Sequence, residues 1–179
     1  VSGHTDSWRR LLDDMHAFIG PLGEAYERVF IVGLSWGGKQ AFANGLDYPD
    51  ECDGLVLITP GFVPLVDGSL LDKVDVLLSS PTNPEKAVPI PLEEEMFTTD
   101  PPALGLIRQD PLRLHHASAR FFWESHRLDG WIEDHVEDNS LPMQLFLAGN
   151  DRIIDNDAVL KLLDRADRAG LEIHLYEDE

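Results

Sequence analysis

Apolar residues follow two alternating patterns along the chain, and together these patterns predict an α/β fold. Short runs rich in β-branched residues predict strands buried in a parallel sheet, and three- to four-residue spacing predicts helices. The predicted strands span 28–33, 54–59, 143–148 and 171–176. The predicted helices span 8–19, 36–48 and 156–169. We expect Thr5 or Asp6 to cap the first helix and Gly170 to end the last one. A mostly parallel sheet with flanking helices follows from this alternation.

Residues 60–142 interrupt the alternation. Seven of the twelve prolines lie between Pro81 and Pro111, so no regular helix can fill this stretch. It is also far longer than an ordinary connection of ~2–6 residues, and it ends in an aromatic helix predicted over 111–131. We interpret 63–140 as an inserted helical lid between two parts of one core, at 1–62 and 141–179. We expect the lid to pack above the carboxyl ends of the strands.

The most informative segment is Gly33-Leu34-Ser35-Trp36-Gly37-Gly38, between a predicted strand and a predicted helix. The pattern G-x-S-x-G makes a sharp turn that strains the serine backbone, and Gly33 and Gly37 would be its required small residues. The turn lifts Ser35 Oγ above the sheet, beside a helix N-terminus that favours negative charge. Ser35 is therefore a candidate nucleophile, and the backbone N–H of Trp36 is a candidate oxyanion donor.

Two alternatives for this segment stay open. In one, Ser35 only caps the following helix. In the other, Gly33, Gly38 and Lys39 form a phosphate loop of the pattern G-x-x-x-x-G-K. The phosphate loop lacks the hydroxyl that would bind Mg²⁺, because Gln40 occupies that position, and the indole of Trp36 would crowd the phosphates.

Asp151 is a second candidate catalytic residue, because it directly follows the strand predicted over 143–148. Catalytic groups gather beyond the carboxyl ends of parallel strands, and a carboxylate there can orient an imidazole. Asp155 and Asp157 are rivals, but Asp155 stands where the next helix needs an N-cap. The chain order of Ser35 before Asp151 is the order expected for a serine nucleophile on this kind of fold.

No histidine occupies the loop after the last predicted strand, where the third member of a catalytic triad is expected. We interpret His174 as a strand residue. The other six histidines are interpreted as surface, cap or packing residues: His4, His16, His115, His116, His126 and His135. No two histidines or cysteines have the spacing of a catalytic zinc site, so no metal and no other cofactor is predicted.

Composition and charge disfavour several classes of function. Fourteen basic and 33 acidic residues give a net charge of −19, which disfavours binding to nucleic acid or anionic lipid. No apolar run reaches the ~18–20 residues of a membrane span, and no signal peptide is visible. The single cysteine, Cys52, fits a reducing compartment, so we expect a cytoplasmic protein.

These motifs resemble the α/β-hydrolases of the monoacylglycerol lipase and lysophospholipase type, often grouped with serine aminopeptidases. The resemblance rests on residues 6–8, 12–14, 30–38, 55–60, 110–112, 147–155 and 175–177. It implies a serine carboxylic-ester hydrolase that acts through an acyl-enzyme on small apolar esters, such as monoacylglycerols or lysophospholipids. A non-catalytic pseudo-hydrolase that only binds a ligand is one alternative. An aminopeptidase or acyltransferase on the same fold is another.

Two features of the family have no counterpart within the 179 residues. The family begins with further strands and a His-Gly oxyanion loop, and it ends with a histidine-bearing loop and a helix. We therefore expect a chain truncated at both ends relative to the family. We also expect a histidine within about ten residues after Glu179 in the whole protein. Without that base, the 179 residues alone are expected to be inactive toward esters.

Overall fold

The main sheet consists of the four strands that the apolar runs predict. The computed structural model describes residues 2–66, 70–166 and 170–177 of the chain. Its strands are β1 (Phe30–Leu34), β2 (Gly54–Ile58), β3 (Ala87–Pro89), β4 (His116–Ser118), β5 (Met143–Ala148) and β6 (Leu171–Tyr176). The main sheet has the order β1-β2-β5-β6, and every pairing in it is parallel. The prediction of a parallel sheet is confirmed.

Seven α-helices accompany these strands in the described part of the chain. They are α1 (Trp8–Ile19), α2 (Leu22–Ala25), α3 (Trp36–Asp47), α4 (Leu70–Thr82), α5 (Pro101–Gln109), α6 (Ala119–His135) and α7 (Asn156–Leu163). Short 3₁₀ turns occupy 49–51, 94–96 and 136–138. Within the described ranges, none of these helices combines the length and the hydropathy that crossing a membrane requires.

Two predicted helix ends differ from the structure. The N-cap of α1 is Ser7, whose hydroxyl accepts from the amide of Arg9, rather than Thr5 or Asp6. A hydroxyl directly before the first helical residue is the better placed acceptor for the free amides of the first turn. Helix α7 ends at Leu163, short of the predicted 169, and residues 167–169 lie outside the described part of the chain.

Gly170 is not the cap of α7, because the C-cap residue is Asp164. A Cβ at Gly170 would lie 2.9 Å from the Cα of Pro142, so the glycine permits close packing of two chain segments. Gly170 therefore permits close packing against Pro142 and does not end α7.

Helices cover one face of the main sheet. From β1 to β2, from β2 to β5 and from β5 to β6, the chain always moves in the same direction across the sheet. Because crossovers between parallel strands are right-handed, α3, α6 and α7 all lie on one side of the sheet. Side chains from that side form a single hydrophobic cluster with α1. Its members include Leu12, Ile31, Phe42, Leu55, Leu57, Leu128, Ile132, Leu145, Leu147, Val159 and Leu163.

The opposite face of β1 is open to solvent. Phe30, Val32 and Leu34 are 57%, 63% and 63% exposed, whereas Ile31 between them is buried. The expectation that this apolar run is buried on both faces is therefore wrong for the described residues. Among the described strands, β1 pairs only with β2.

The long interruption between β2 and β5 contains two kinds of structure. Helices α4 and α5 and a small antiparallel sheet of β3 and β4 occupy the part up to Ser118. Helix α6 follows and begins at Ala119, later than the predicted residue 111, because Ser118 caps it through the amide of Phe121. Its 17 residues extend about 25 Å and carry Leu128 and Ile132 into the main core. Helix α6 thus returns the chain toward the start of β5.

Candidate active site

Ser35 lies between β1 and α3 in a backbone conformation that few residues adopt. Its φ is 50° and its ψ is −121°. Among the described residues, only one other non-glycine residue, Thr59, has a positive φ. The prediction that Ser35 stands on a strained strand-to-helix turn is confirmed. Such a conformation costs about 1–3 kcal/mol and persists only where surrounding contacts determine it.

Backbone hydrogen bonds from three directions hold the strained turn. The amide of Ser35 donates to the carbonyl of Ile58 at the end of β2, at 2.9 Å. The carbonyl of Ser35 accepts from the amide of Gly38 in α3 at 2.9 Å and from that of Gly61 at 2.8 Å. The strand, the helix and the segment after β2 therefore jointly fix Ser35.

Ser35 does not cap α3 through its side chain. A capping serine has an extended backbone, and its hydroxyl accepts from an amide two or three residues later. Ser35 has neither property, because its backbone is outside the extended region and its side chain makes no capping hydrogen bond. Ser35 as a residue is half-buried. The helix-cap alternative is therefore wrong.

The turn depends on two close approaches between backbones. A Cβ at Gly33 would lie 2.5 Å from the carbonyl oxygen of Gly37 and 2.6 Å from the Cα of Gly38. A Cβ at Gly38 would lie 2.9 Å from the Cβ of Pro60. A Cβ at Gly37 would meet no atom within 4 Å. The small residues that this turn requires are thus Gly33 and Gly38, and the expectation for Gly37 is wrong.

Trp36 is the first residue of α3 and follows Ser35 directly. Its backbone N–H has no acceptor within the helix, since the first four amides of a helix lie ahead of any carbonyl. The N-terminal end of the helix dipole adds a partial positive charge at the same place. A free amide beside the hydroxyl of Ser35 is what an oxyanion donor requires.

Lys39 is bound within the protein, which removes the basis of the phosphate-loop alternative. Its Nζ lies 2.5 Å from Oδ1 of Asp129 in α6, and its side chain is only 5% exposed. Burial raises the pKa of Asp129, although the ammonium of Lys39 acts in the opposite direction. An ammonium held in this ion pair is not available to a phosphate.

Asp151 lies in the turn after β5, where the sequence predicts a catalytic acid. Its Oδ1 accepts from the amides of Ile153 and Ile154, both at 2.8 Å, so its own turn fixes the carboxylate. Asp155 caps α7 by accepting from the amide of Ala158, as expected. Asp155 is thus the N-cap of α7, whereas the carboxylate of Asp151 belongs to the turn that follows β5.

The turn that contains Asp151 is bound to the end of β6. The amide of Gly149 donates to the carbonyl of Tyr176 at 2.8 Å, and the side chain of Asn150 donates to the carbonyl of Glu177 at 3.2 Å. Ser35 and Asp151 both follow the carboxyl ends of their strands. Their strands are two spacings apart in the sheet, about 10 Å, with β2 between them.

None of the hydrogen bonds or ring contacts of the described residues joins a histidine to Ser35. His174 lies in β6 and stacks on Phe146 with ring centroids 4.5 Å apart, which confirms its interpretation as a strand residue. His4 contacts Ser118 Oγ at 2.8 Å and Asp6 Oδ1 at 3.2 Å. Ser118 is 1% exposed and caps α6, so this second Ser-His-Asp set offers no accessible nucleophile.

The described residues contain no group of three or more histidine, cysteine, aspartate or glutamate side chains that could hold a metal ion. The site combines the strained turn at Ser35, a free amide beside it, and the carboxylate of Asp151 at the same edge of the sheet.

Residues 1–178 match the serine aminopeptidase S33 family, and the chain belongs to this family. No curated protein sequence matches the chain.

Several solved structures share its fold. A monoacylglycerol lipase from Paleococcus ferrophilus superposes with a TM-score of 0.86 at 19% identity, over 97% of this chain. A soluble variant of monoglyceride lipase from Saccharomyces cerevisiae, in complex with a substrate analogue, gives 0.79 at 17% identity, also over 97%. A carboxyl esterase from Bacillus coagulans, in complex with glycerol, gives 0.73 at 15% identity over 96%.

The likeness to these structures establishes the α/β-hydrolase fold. This chain spans 66%, 61% and 64% of the lengths of the three chains, in the same order. What those enzymes act on is a property of those enzymes.

The spacing of the turn glycines generates a prediction about stability. We expect Gly33→Ala to lower the free energy of unfolding by about 1–3 kcal/mol, because the new methyl group overlaps the backbone of α3. Gly37→Ala is the matched control. Its methyl group meets no atom within 4 Å, so stability should stay unchanged or rise by up to about 1 kcal/mol. Urea unfolding of both variants measures the difference, and equal destabilisation would contradict the close approach.

Proposed function

We propose that this protein is a serine carboxylic-ester hydrolase with Ser35 as its nucleophile. The observation that carries the proposal is the strained turn at Ser35, with a positive φ and a hydroxyl that does not cap the helix. Strain of this kind clusters at functional sites, where it presents a side chain for chemistry. Membership of a hydrolase family and a fold shared with lipases and an esterase support the same conclusion.

The proposed reaction has two halves. Ser35 Oγ attacks the ester carbonyl while its proton passes to a histidine, and the carbonyl oxygen becomes an oxyanion that the Trp36 N–H stabilises. The oxyanion then collapses, the C–O bond to the alcohol breaks, and the histidine protonates the alcohol. Water attacks the resulting acyl-enzyme by the same route and releases the acid. Asp151 orients the histidine, which the resemblance implies beyond residue 179.

The proposed substrates are small esters with an apolar acyl chain, such as monoacylglycerols or lysophospholipids. The stretch between β2 and α6 carries large apolar side chains that are exposed, among them Leu65, Phe97, Leu106, Leu112 and Leu114. These side chains support the proposal, because an apolar acyl chain gains free energy by leaving water and packing against them. No cofactor is part of the proposal, and small-molecule esters are the only proposed partners. A cytoplasmic location is proposed because the chain has a single free thiol, at Cys52.

We further propose that the inserted stretch acts as a lid over the carboxyl edge of the sheet. Contacts near the turn of Asp151 support this placement. The amide of Leu65 donates to the carbonyl of Ile153 at 2.8 Å, and Arg152 donates to the carbonyl of Glu95 at 3.0 Å. The predicted lid boundary at 140 includes α6. Because α6 packs in the main core, the contacts favour a lid that ends near residue 118.

A second candidate function is an aminopeptidase that uses the same nucleophile, since the matching family carries that description. Initial rates on p-nitrophenyl acyl esters and on amino-acid p-nitroanilides separate the two, because only a peptidase accepts a free α-amino group beside the scissile amide. Faster turnover of the anilides would replace the esterase proposal. A whole protein that hydrolyses neither class and resists fluorophosphonate would be a non-catalytic binding domain.

Replacing the nucleophile provides a direct test in the whole protein. Ser35→Ala should lower kcat on a p-nitrophenyl ester by roughly a millionfold and abolish labelling by a fluorophosphonate. The melting temperature should change little, because the hydroxyl does not cap α3. The exposed Ser140→Ala is the control and should keep full activity and labelling. Persistent hydrolysis by Ser35→Ala would assign the chemistry to another residue.

A pair of isosteric changes tests the assignment of the acid. The amide oxygen of Asp151→Asn can still accept from Ile153 and Ile154, so the turn should remain folded. The amide cannot hold an imidazole in the correct tautomer, so kcat should fall about 10⁴-fold. Asp155→Asn retains an N-cap and should keep the wild-type rate. Steady-state kinetics on both variants decide the matter, and the reverse pattern would assign the acid to Asp155.

A further inference from the structure

Side chains from α3 and α6 form a polar network directly behind the nucleophile turn. The indole Nε1 of Trp36 donates to Ser125 Oγ at 3.0 Å, and Nζ of Lys39 donates to the same oxygen at 3.3 Å. Lys39 also forms the ion pair with Asp129. The ring of Trp36 packs on Phe121 with centroids 5.2 Å apart. None of these side chains has a part in the chemistry proposed above.

The network joins one face of α3 to one face of α6. Residues 121, 125 and 129 of α6 are four positions apart, so they lie along one face of that helix. Trp36 and Lys39 are three positions apart in the first turns of α3 and also lie on one face. Three contacts thus hold the beginning of α3 against α6. They are the hydrogen bonds of Trp36 and of Lys39 to Ser125, and the ion pair of Lys39 with Asp129.

The chemistry of the network points to positioning rather than to stability. The side chain of Lys39 is 5% exposed and that of Asp129 is 33% exposed, so their ion pair is largely withdrawn from solvent. Such a pair seldom stabilises a protein more than apolar residues of similar size, but its partners must meet in one geometry. Lys39 stands on a helix whose neighbouring positions, Ala41, Phe42 and Ala43, are buried and apolar. An apolar side chain at position 39 would fill the same space without fixing the rotation of α3.

Trp36 connects this network to the reacting atoms. Its backbone N–H is the proposed oxyanion donor, and its indole N–H is held by Ser125. The amide of Lys39 in turn donates to the carbonyl of Ser35 at 3.3 Å. Trp36 and Lys39, whose side chains bind Ser125, therefore also have backbone amides next to Ser35.

We propose that Ser125, Lys39 and Asp129 form a clamp that positions the first turn of α3 and thereby directs the Trp36 N–H toward the oxyanion. This proposal rests on the proposed function, because it assigns these three positioning residues to the same site. Loss of an oxyanion donor lowers kcat by about 10²–10³. When the clamp is removed, the Trp36 N–H is still present but no longer points at the oxyanion, so only part of its effect is lost. We therefore expect kcat to fall by about tenfold to a hundredfold. KM should stay nearly constant, because the interaction strengthens only in the transition state.

The experiment compares Ser125→Ala with Ser125→Thr in the whole protein. Alanine removes the acceptor shared by Trp36 and Lys39, whereas threonine keeps a hydroxyl at the same place. Two quantities are measured: kcat and KM on a p-nitrophenyl ester, and the inhibition constant of an alkyl boronic acid, which forms a tetrahedral adduct with the nucleophile. We expect Ser125→Ala to lower kcat at constant KM and to weaken the boronate by a similar factor. Ser125→Thr should restore both quantities.

Two further variants separate positioning from folding. Lys39→Met combined with Asp129→Leu replaces the ion pair by an apolar pair, so the melting temperature should be kept or raised while kcat falls. Glu133→Gln, an exposed change on α6, should alter neither quantity. The clamp is overturned if Ser125→Ala keeps the wild-type kcat and boronate affinity, or if its lower activity follows only a lower folded fraction. If hydrolysis by the wild type does not depend on Ser35, the proposed function fails instead.

Discussion

The architecture of the site depends on how closely helix α3 can approach strand β1. The two backbones nearly touch where Gly33 faces Gly37 and Gly38, and a single methyl group there would lie 2.5 Å from a carbonyl oxygen. This contact fixes the angle at which the helix leaves the sheet. It also brings the helix N-terminus directly under Ser35, whose positive φ is the conformation that joins two elements packed this closely. The free amide at Trp36 and the presentation of the Ser35 hydroxyl both follow from one constraint on backbone distance.

The remainder of the core supports that approach from the other side. Phe42 in α3 is fully buried and meets Phe62 edge to face at 5.3 Å between ring centroids, so the helix is anchored to the segment that follows β2. Helix α6 packs behind α3, and its buried Glu124 accepts from the amide of Trp8 at the start of α1. Three helices thus lie on the same side of the sheet. Because α1 and α6 both contact α3, a change in the tilt of either one would reach the turn at Ser35 through α3.

Much of this arrangement could be predicted from local sequence patterns. Apolar runs located all four main strands, and a six-residue motif located the strained serine. Because aspartate favours N-cap positions, the sequence predicted Asp155 as the cap of α7 and left Asp151 as the candidate acid. Two predictions were wrong by one or two positions, the N-cap of α1 and the required glycine at Gly37. The exposed face of β1 and the ion pair of Lys39 instead depend on neighbours distant in sequence. The apolar run of β1 indicates contact with apolar groups but cannot say on how many faces. The pairing of Lys39 with Asp129 joins residues 90 positions apart, and only the charge of Lys39 beside buried alanines could have signalled it.

The insertion between β2 and α6 is attached to the core at both of its ends. Near its beginning, Val63 accepts from the amide of Asp155, and at its end Ser118 donates to the carbonyl of Gly3 at 2.9 Å. With both ends fixed, a longer connection loses little entropy, because each doubling of a flexible loop costs only about 0.6 kcal/mol. Length and composition in this stretch can therefore diverge during evolution while the sheet and the turn at Ser35 stay intact. The same attachment points offer protein engineers natural junctions for exchanging this stretch between related hydrolases.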